Sequence, residues 1–178
     1  MASLPSISDV PSLSTTQRAG ILDALFEPCT ALHTLSLDPL RTEKFPSYND
    51  LIASVGAQLT ELSESPSISD TRWLDKILGA HPRLGEKKVD SAQSQAEQAQ
   101  LNTGGNEEAE KLQKLNEEYE RTFPGLKYVV FVNGRSRPVI MHNMQQRIDR
   151  GNIRLERAEG IQAMCDIAAD RAIKLHQA

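Results

Sequence analysis

Apolar residues recur at spacings of three and four along most of this chain, and turn-forming residues cut the pattern into short lengths. Ile21, Leu22, Leu25 and Phe26 form one stripe behind Ser14-Thr15-Thr16-Gln17, a sequence suited to capping a helix start, and Pro28 stops it. Cys29 to Leu37 reads as a second short helix. Ser47 then serves as N-cap for a helix carrying Leu51, Ile52, Val55, Leu59 and Leu62. Ser63 to Ser69 reads as a loop, and Asp70 as the cap of the next helix, whose Trp73, Leu74, Ile77 and Leu78 run out at Gly79. Ser91 to Leu101 predicts a helix too polar to be buried all round, followed by a flexible Asn102–Asn106 loop containing Gly104-Gly105. Glu107 to Phe123 is amphipathic through Leu112, Leu115, Tyr119 and Phe123, and Pro124-Gly125 ends it. Ser136, with Pro138 in the first turn, opens a helix bearing Ile140, Met144 and Ile148. A last helix from about Ile153 to His176 carries Ile161, Met164, Cys165, Ala168, Ala172 and Leu175.

One segment breaks the period. Leu126 to Val132 is of β type, but no second run of that kind exists to pair with it, and one strand makes no sheet. It is expected to be a buried extended connector. The fold class is therefore all-α: a single-domain bundle of seven or eight helices over residues 14–178, with the Ser- and Pro-rich residues 1–13 as a flexible, extended arm.

At 178 residues the chain can bury one stable core without staples. The net charge of −4 and the absence of any basic block interleaved with aromatics exclude nucleic acid as a partner. Cys29 and Cys165 have no CxxC or His-x-x-x-His company, so both read as small core residues in a reducing, intracellular compartment. No signal-like start and no run of eighteen apolar residues supports secretion or a membrane. His176-Gln177-Ala178 is not a peroxisomal Ser-Lys-Leu signal, which leaves cytoplasm or peroxisome. Glycine-rich phosphate loops, GxSxG elbows and zinc signatures are missing, so neither metal nor cofactor is expected.

Among four histidines, His33, His142 and His176 lie in helical patterns without partner motifs and read as surface or structural residues. His81 differs. It sits in Gly79-Ala80-His81-Pro82-Arg83-Leu84-Gly85, just past a helix end, with Pro82 stiffening the chain behind it. Ser94, Glu97 and Gln98 stand at i, i+3 and i+4, one face of the polar helix. If the two elements meet across a cleft, they make a His/Glu/Ser acid–base site. Taken separately, a helix-capping imidazole and a solvated glutamate remain open alternatives. Gly134-Arg135-Ser136 presents backbone amides at a helix start, as an ordinary cap also does. Arg171 follows the apolar stripe and points inward, requiring a carboxylate or ligand, whereas Arg157 reads as solvated.

His81-Pro82-Arg83-Leu84-Gly85, Ser94-x-x-Glu97-Gln98, Leu115-Asn116-x-x-Tyr119, Phe131-x-x-Gly134-Arg135-Ser136, Arg147 and the Glu156–Arg171 helix occur in this order. Over about residues 17–176 the chain thereby resembles the 2-oxo-4-hydroxy-4-carboxy-5-ureidoimidazoline (OHCU) decarboxylases. The resemblance implies an all-α, cofactor-free homodimer that completes uric acid breakdown by forming (S)-allantoin. It makes His81 the catalytic acid/base with Glu97 beside it, and Pro82, Ser94 and Gln98 ligand contacts. The backbone of Val129, Val130, Phe131, Val132 and Asn133 receives the ring or ureido group, and Arg171, with Arg147 second, completes the pocket. Three departures are a charged Glu86–Gln93 segment, Ala163 where a glutamate is common, and Pro124-Gly125 in place of a Phe-Gly type turn. The rival reading is a helical ligand-binding or scaffold module that kept the fold without the activity; the intact polar set argues against it.

Overall fold

The computed structural model describes residues 3–86, 91–101 and 105–177. These form eight α-helices: α1 Thr15–Phe26, α2 Thr30–Thr42, α3 Tyr48–Glu64, α4 Ile68–Leu78, α5 Ala92–Leu101, α6 Asn106–Thr122, α7 Arg137–Arg150 and α8 Ile153–Gln177. No strand occurs among the described residues, and the all-α expectation holds. The 25 residues of α8 make it the spine, against which α1, α3 and α4 pack, while α6 pairs with α7. A Cβ on Gly56 of α3 would lie 2.9 Å from Cys165 Sγ of α8, so the bare backbone there sets how closely the two helices approach. Ile21, Leu22, Leu25, Leu51, Leu59, Leu74, Ile77 and Met164 are fully buried in the resulting core. Each contributes roughly 1.5–3 kcal/mol through the apolar surface it removes from water.

Local chemistry explains the boundaries. Ser14 caps α1 in a reciprocal box with Gln17, whose N–H donates to Ser14 Oγ at 3.3 Å while Ser14 N–H donates to Gln17 Oε1 at 3.0 Å. Ser47 caps α3, as expected. The helix after it starts earlier than the sequence implies: Ser67, not Asp70, is the cap of α4, and Asp70 in its first turn accepts from Ser65 Oγ at 2.6 Å. Helix α2 runs beyond Leu37 to Thr42 although Pro39 lies inside it. Proline has no N–H to give the carbonyl four residues back, and that carbonyl, on Leu35, accepts instead from Gln58 Nε2 of α3 at 3.0 Å.

The reading of residues 1–13 as an extended arm is corrected for the residues described. Ile7–Ser12 is a 3-10 helix, and Leu4 and Val10 are buried in the main core. Tyr48 Oη donates to the Pro5 carbonyl at 2.9 Å, and Arg18 donates to the carbonyls of Pro11 and Leu13. Both cysteines are free and half-buried, and burial pushes the Cys165 thiol up to about 11. Arg157 is not solvated: its Nε and NH2 donate to the two Asp75 oxygens at 2.8 and 2.9 Å, tying α8 to α4. Residues 102–104 of the loop expected at Asn102–Asn106 lie outside the described residues, and Asn106 already begins α6. Leu126 to Val132 is extended without a strand partner, as the sequence implies.

Candidate active site

Helix α4 ends at Gly79, and the chain turns so that His81 enters the interior, 5% exposed. Four side chains hold that turn. Gln98 Oε1 accepts from Gly85 N–H at 2.9 Å, and Gln98 Nε2 donates to the Arg83 carbonyl at 2.8 Å. Asn116 Nδ2 donates to the Leu84 carbonyl at 3.0 Å, and Arg83 Nε donates to Glu120 at 2.6 Å. Gly85 has φ 79°, a conformation that a side chain would strain, and Leu112 packs where its Cβ would be.

Helix α5 brings Ser94, Glu97 and Gln98 to the same place, as their spacing predicts. Arg171, 2% exposed, stands behind them. Its Nε and NH2 grip Glu97 at 2.8 and 2.9 Å, and NH2 also reaches Ser94 Oγ at 3.0 Å and Glu27 Oε1 at 2.7 Å. Arg171 thus points inward as expected and finds carboxylates, but it does not line the cleft beside His81. Sequence reasoning missed Glu27. It is 3% exposed and accepts from Ser91 Oγ at 3.0 Å and from Ser94 Oγ. Its one sequence signal is a charged residue between the apolar end of α1 and Pro28.

The connector forms the facing wall. Its carbonyls are taken by arginines: Val129 O accepts from Arg147 NH1 at 3.0 Å, and Phe131 O and Val132 O accept from Arg135. Arg147 is itself held by buried Glu156 at 2.6 Å, which also accepts from Tyr119 Oη at 2.6 Å, and its guanidinium lies 4.7 Å from the Tyr128 ring centre. So Arg147 braces the connector at Val129. Asn133, with φ 46°, ends the segment before Gly134.

His81, Pro82, Leu84, Ser94, Glu97 and Gln98 face Tyr128, Val129, Val130, Val132 and Ile167 across a cleft of about 50 Å³. A second chamber of about 180 Å³ shares Glu97, Val130, Val132 and Ile167 with it and adds Phe131, Asn133, Gly134, Asp170 and Lys174. Of the expected contacts, Phe131 and Asn133 therefore line the second chamber rather than the first, and Arg147 and Arg171 line neither. Among the described residues no group of three or more His, Cys, Asp or Glu is arranged to hold a metal ion.

A family model described as OHCU decarboxylase matches residues 11–173. The chain belongs to the OHCU decarboxylase family. The match covers both arms of the cleft, α1 to α8 apart from the end of the last helix, and no curated protein matches the chain. The activity that goes with the family is decarboxylation of OHCU in urate degradation, and the protein is accordingly a carboxy-lyase.

The electrostatics of the cleft suit proton transfer. Burial pushes the His81 imidazole down to about 4, reinforced by the charges of Arg171 and Lys127 and partly offset by that of Glu27. At neutral pH it is therefore an uncharged base, and its Nε2 is buried without a hydrogen-bond partner among the described residues. A charge–dipole role at the end of α4 would need an imidazolium, which this environment disfavours. Burial also works to raise the Glu27 carboxyl, but the Ser94 hydrogen bond and the Arg171 charge outweigh it and hold the group ionised. Arg171 stays charged because its bonds to Glu97 and the charges of Glu97 and Glu27 overcome its own burial.

Proposed function

We propose that His81 is the proton carrier of the decarboxylation and that the reaction runs without metal or cofactor. The observation that carries this reading is the Nε2 of His81, buried and without a hydrogen-bond partner among the described residues, in a cleft where Ser94, Glu97 and Gln98 are already committed to other groups. In OHCU the carbon that loses CO2 carries a hydroxyl and adjoins a ring imine. When the carbon–carboxylate bond breaks, its electron pair forms a double bond toward the imine carbon, and the imine nitrogen takes up a proton from water. Nε2 accepts the hydroxyl proton as the carbonyl forms, then returns it to the former imine carbon. One proton leaves oxygen and one arrives at carbon, so the imidazole is regenerated neutral. Delivery from the single face on which His81 stands gives one enantiomer, (S)-allantoin.

The remaining residues orient and insulate. Glu97, fixed by Arg171, is the one carboxylate among the described residues that lines the His81 cleft, and its negative charge disfavours the substrate carboxylate more than neutral CO2. Pro82 and the valines of the connector form apolar walls that keep water from the developing carbanion. The second chamber, with Asn133, Asp170 and Lys174, has the volume and the mixed donors and acceptors for the ureido arm. Arg171 acts through Glu97 rather than on the ring, and Arg147 acts through the connector. Acid–base help of this kind is worth roughly a hundred- to ten-thousand-fold in rate. The same family reading extends to a homodimer working in the cytoplasm or peroxisome.

The test is circular dichroism of allantoin formation from freshly generated OHCU. Added protein should produce a one-handed signal faster than spontaneous decay, which gives a racemate. An unchanged rate and no optical signal would favour the alternative of a binding or scaffold module.

A further inference from the structure

Two non-glycine residues among those described have positive φ, and they differ in kind: Asn133 at 46° is a residue that tolerates it, and Glu27, at φ 91° and ψ 147°, is not. That backbone region is almost reserved for glycine. The same residue buries a carboxylate, with Arg171 NH2 at 2.7 Å, Ser91 Oγ at 3.0 Å and Ser94 Oγ all bonded to Oε1. A glycine at this corner would relieve the backbone, and replacing a buried ion pair by apolar residues is often neutral or stabilising. Stability alone does not call for a strained, buried carboxylate here.

We propose that Glu27 is a positioning residue of the reaction: it anchors Arg171 and Ser94 from behind, so that Arg171 presents Glu97 to the cleft beside His81 in one orientation. The inference rests on the roles assigned to His81 and Glu97 above. Arg171 NH2 has two hydrogens and three acceptors within 3.0 Å, on Glu27, Ser94 and Glu97. The ion pair with Glu27, at the end of α1, pulls the guanidinium toward that helix, where NH1 also reaches the Leu25 carbonyl at 3.5 Å, against the grip of Glu97 on α5. With Glu27 neutralised, the charge that balances Glu97 is lost, the fork moves toward Glu97, and that carboxylate is freer to tilt. Glu27 also contributes to the field at His81, where Arg171 and Lys127 oppose protonation, Glu27 favours it, and Glu97 lines the same cleft.

The experiment compares the full-length wild type with Glu27→Gln, which keeps shape and hydrogen bonds but not charge, and Glu27→Gly, which suits the backbone and removes the anchor. Steady-state kinetics on OHCU are measured across pH, with the Arg171 Nε–H resonance as a readout that needs no turnover. Both variants should fold, with kcat lowered about a hundredfold, the scale of a one-ångström misplacement, and KM changed by less than about threefold. In Glu27→Gln the acid limb of the rate profile should move to lower pH, and the Arg171 Nε–H signal should shift and exchange faster. Folded variants with wild-type kcat would overturn the proposal. If the wild type itself does not turn over OHCU, the functional reading fails, and an Arg171 signal unaltered in Glu27→Gln would then overturn the anchoring role as well.

Discussion

An imidazole that is to take a proton at neutral pH must be uncharged, and the surroundings of His81 keep it so at a cost to the fold that can be measured. The unfolded chain carries this histidine near its ordinary value of 6.5, and the folded protein at about 4, so between those values the unfolded state binds the proton first. Stability is full above pH 6.5 and declines as pH falls toward 4. Between pH 7 and 5 the wild type should lose about 2 kcal/mol by denaturant unfolding that a His81→Asn variant does not lose. Parallel pH dependences would show that His81 is not buried neutral. His81, Ser94 and Glu97 were legible because a proline-stiffened turn and an i, i+3 spacing are written in consecutive residues. Glu27 was not, since its meaning lies in a backbone angle and in a bond to Arg171 across 144 positions. Arg157 was misread for the same reason, its partner Asp75 lying 82 positions away.

At the scale of elements, the His81 turn owes its shape to side chains from α5 and α6 rather than to its own sequence. Gln98, expected as a ligand contact, lines the cleft but gives both ends of its amide to the backbone of the turn. Gln98→Ala should leave the half-buried Gly85 N–H and Arg83 carbonyl without their partner, at a cost of about 1 kcal/mol each. The checks are a lower melting temperature, faster hydrogen exchange at the Gly85 amide and a reduced kcat/KM; an unchanged Gly85 amide would contradict the bracing. The eight α-helices were readable, most of them from strong apolar stripes, as was the extended connector, whose β-type residues had no partner run; the 3-10 helix Ile7–Ser12 was not. What failed were ends set by partners elsewhere. Helix α2 passes Pro39 only because Gln58 of α3 satisfies the Leu35 carbonyl, and α4 begins at Ile68 rather than at the stronger-looking Asp70.

For the whole molecule, α8 joins the core to the chemistry: one stretch supplies Met164 and Ala168 to the interior, Ile167 to the cleft wall and Arg171 to the carboxylates of α1's end and α5. The residues that hold the candidate site therefore come from the end of the first helix to the last helix of the bundle. Packing also placed the Ser/Pro-rich start, whose Leu4 and Val10 complete the core although their composition reads as a free arm. Whether this scaffold delivers a proton from His81 to one face of the decarboxylated ring is decided by following the optical signal of allantoin formation with wild type and His81→Ala in parallel. The wild type should give a rapid (S)-handed signal and the folded variant one slowed by about a hundredfold or more; near-normal, one-handed turnover by the variant would rule out His81 as the proton carrier.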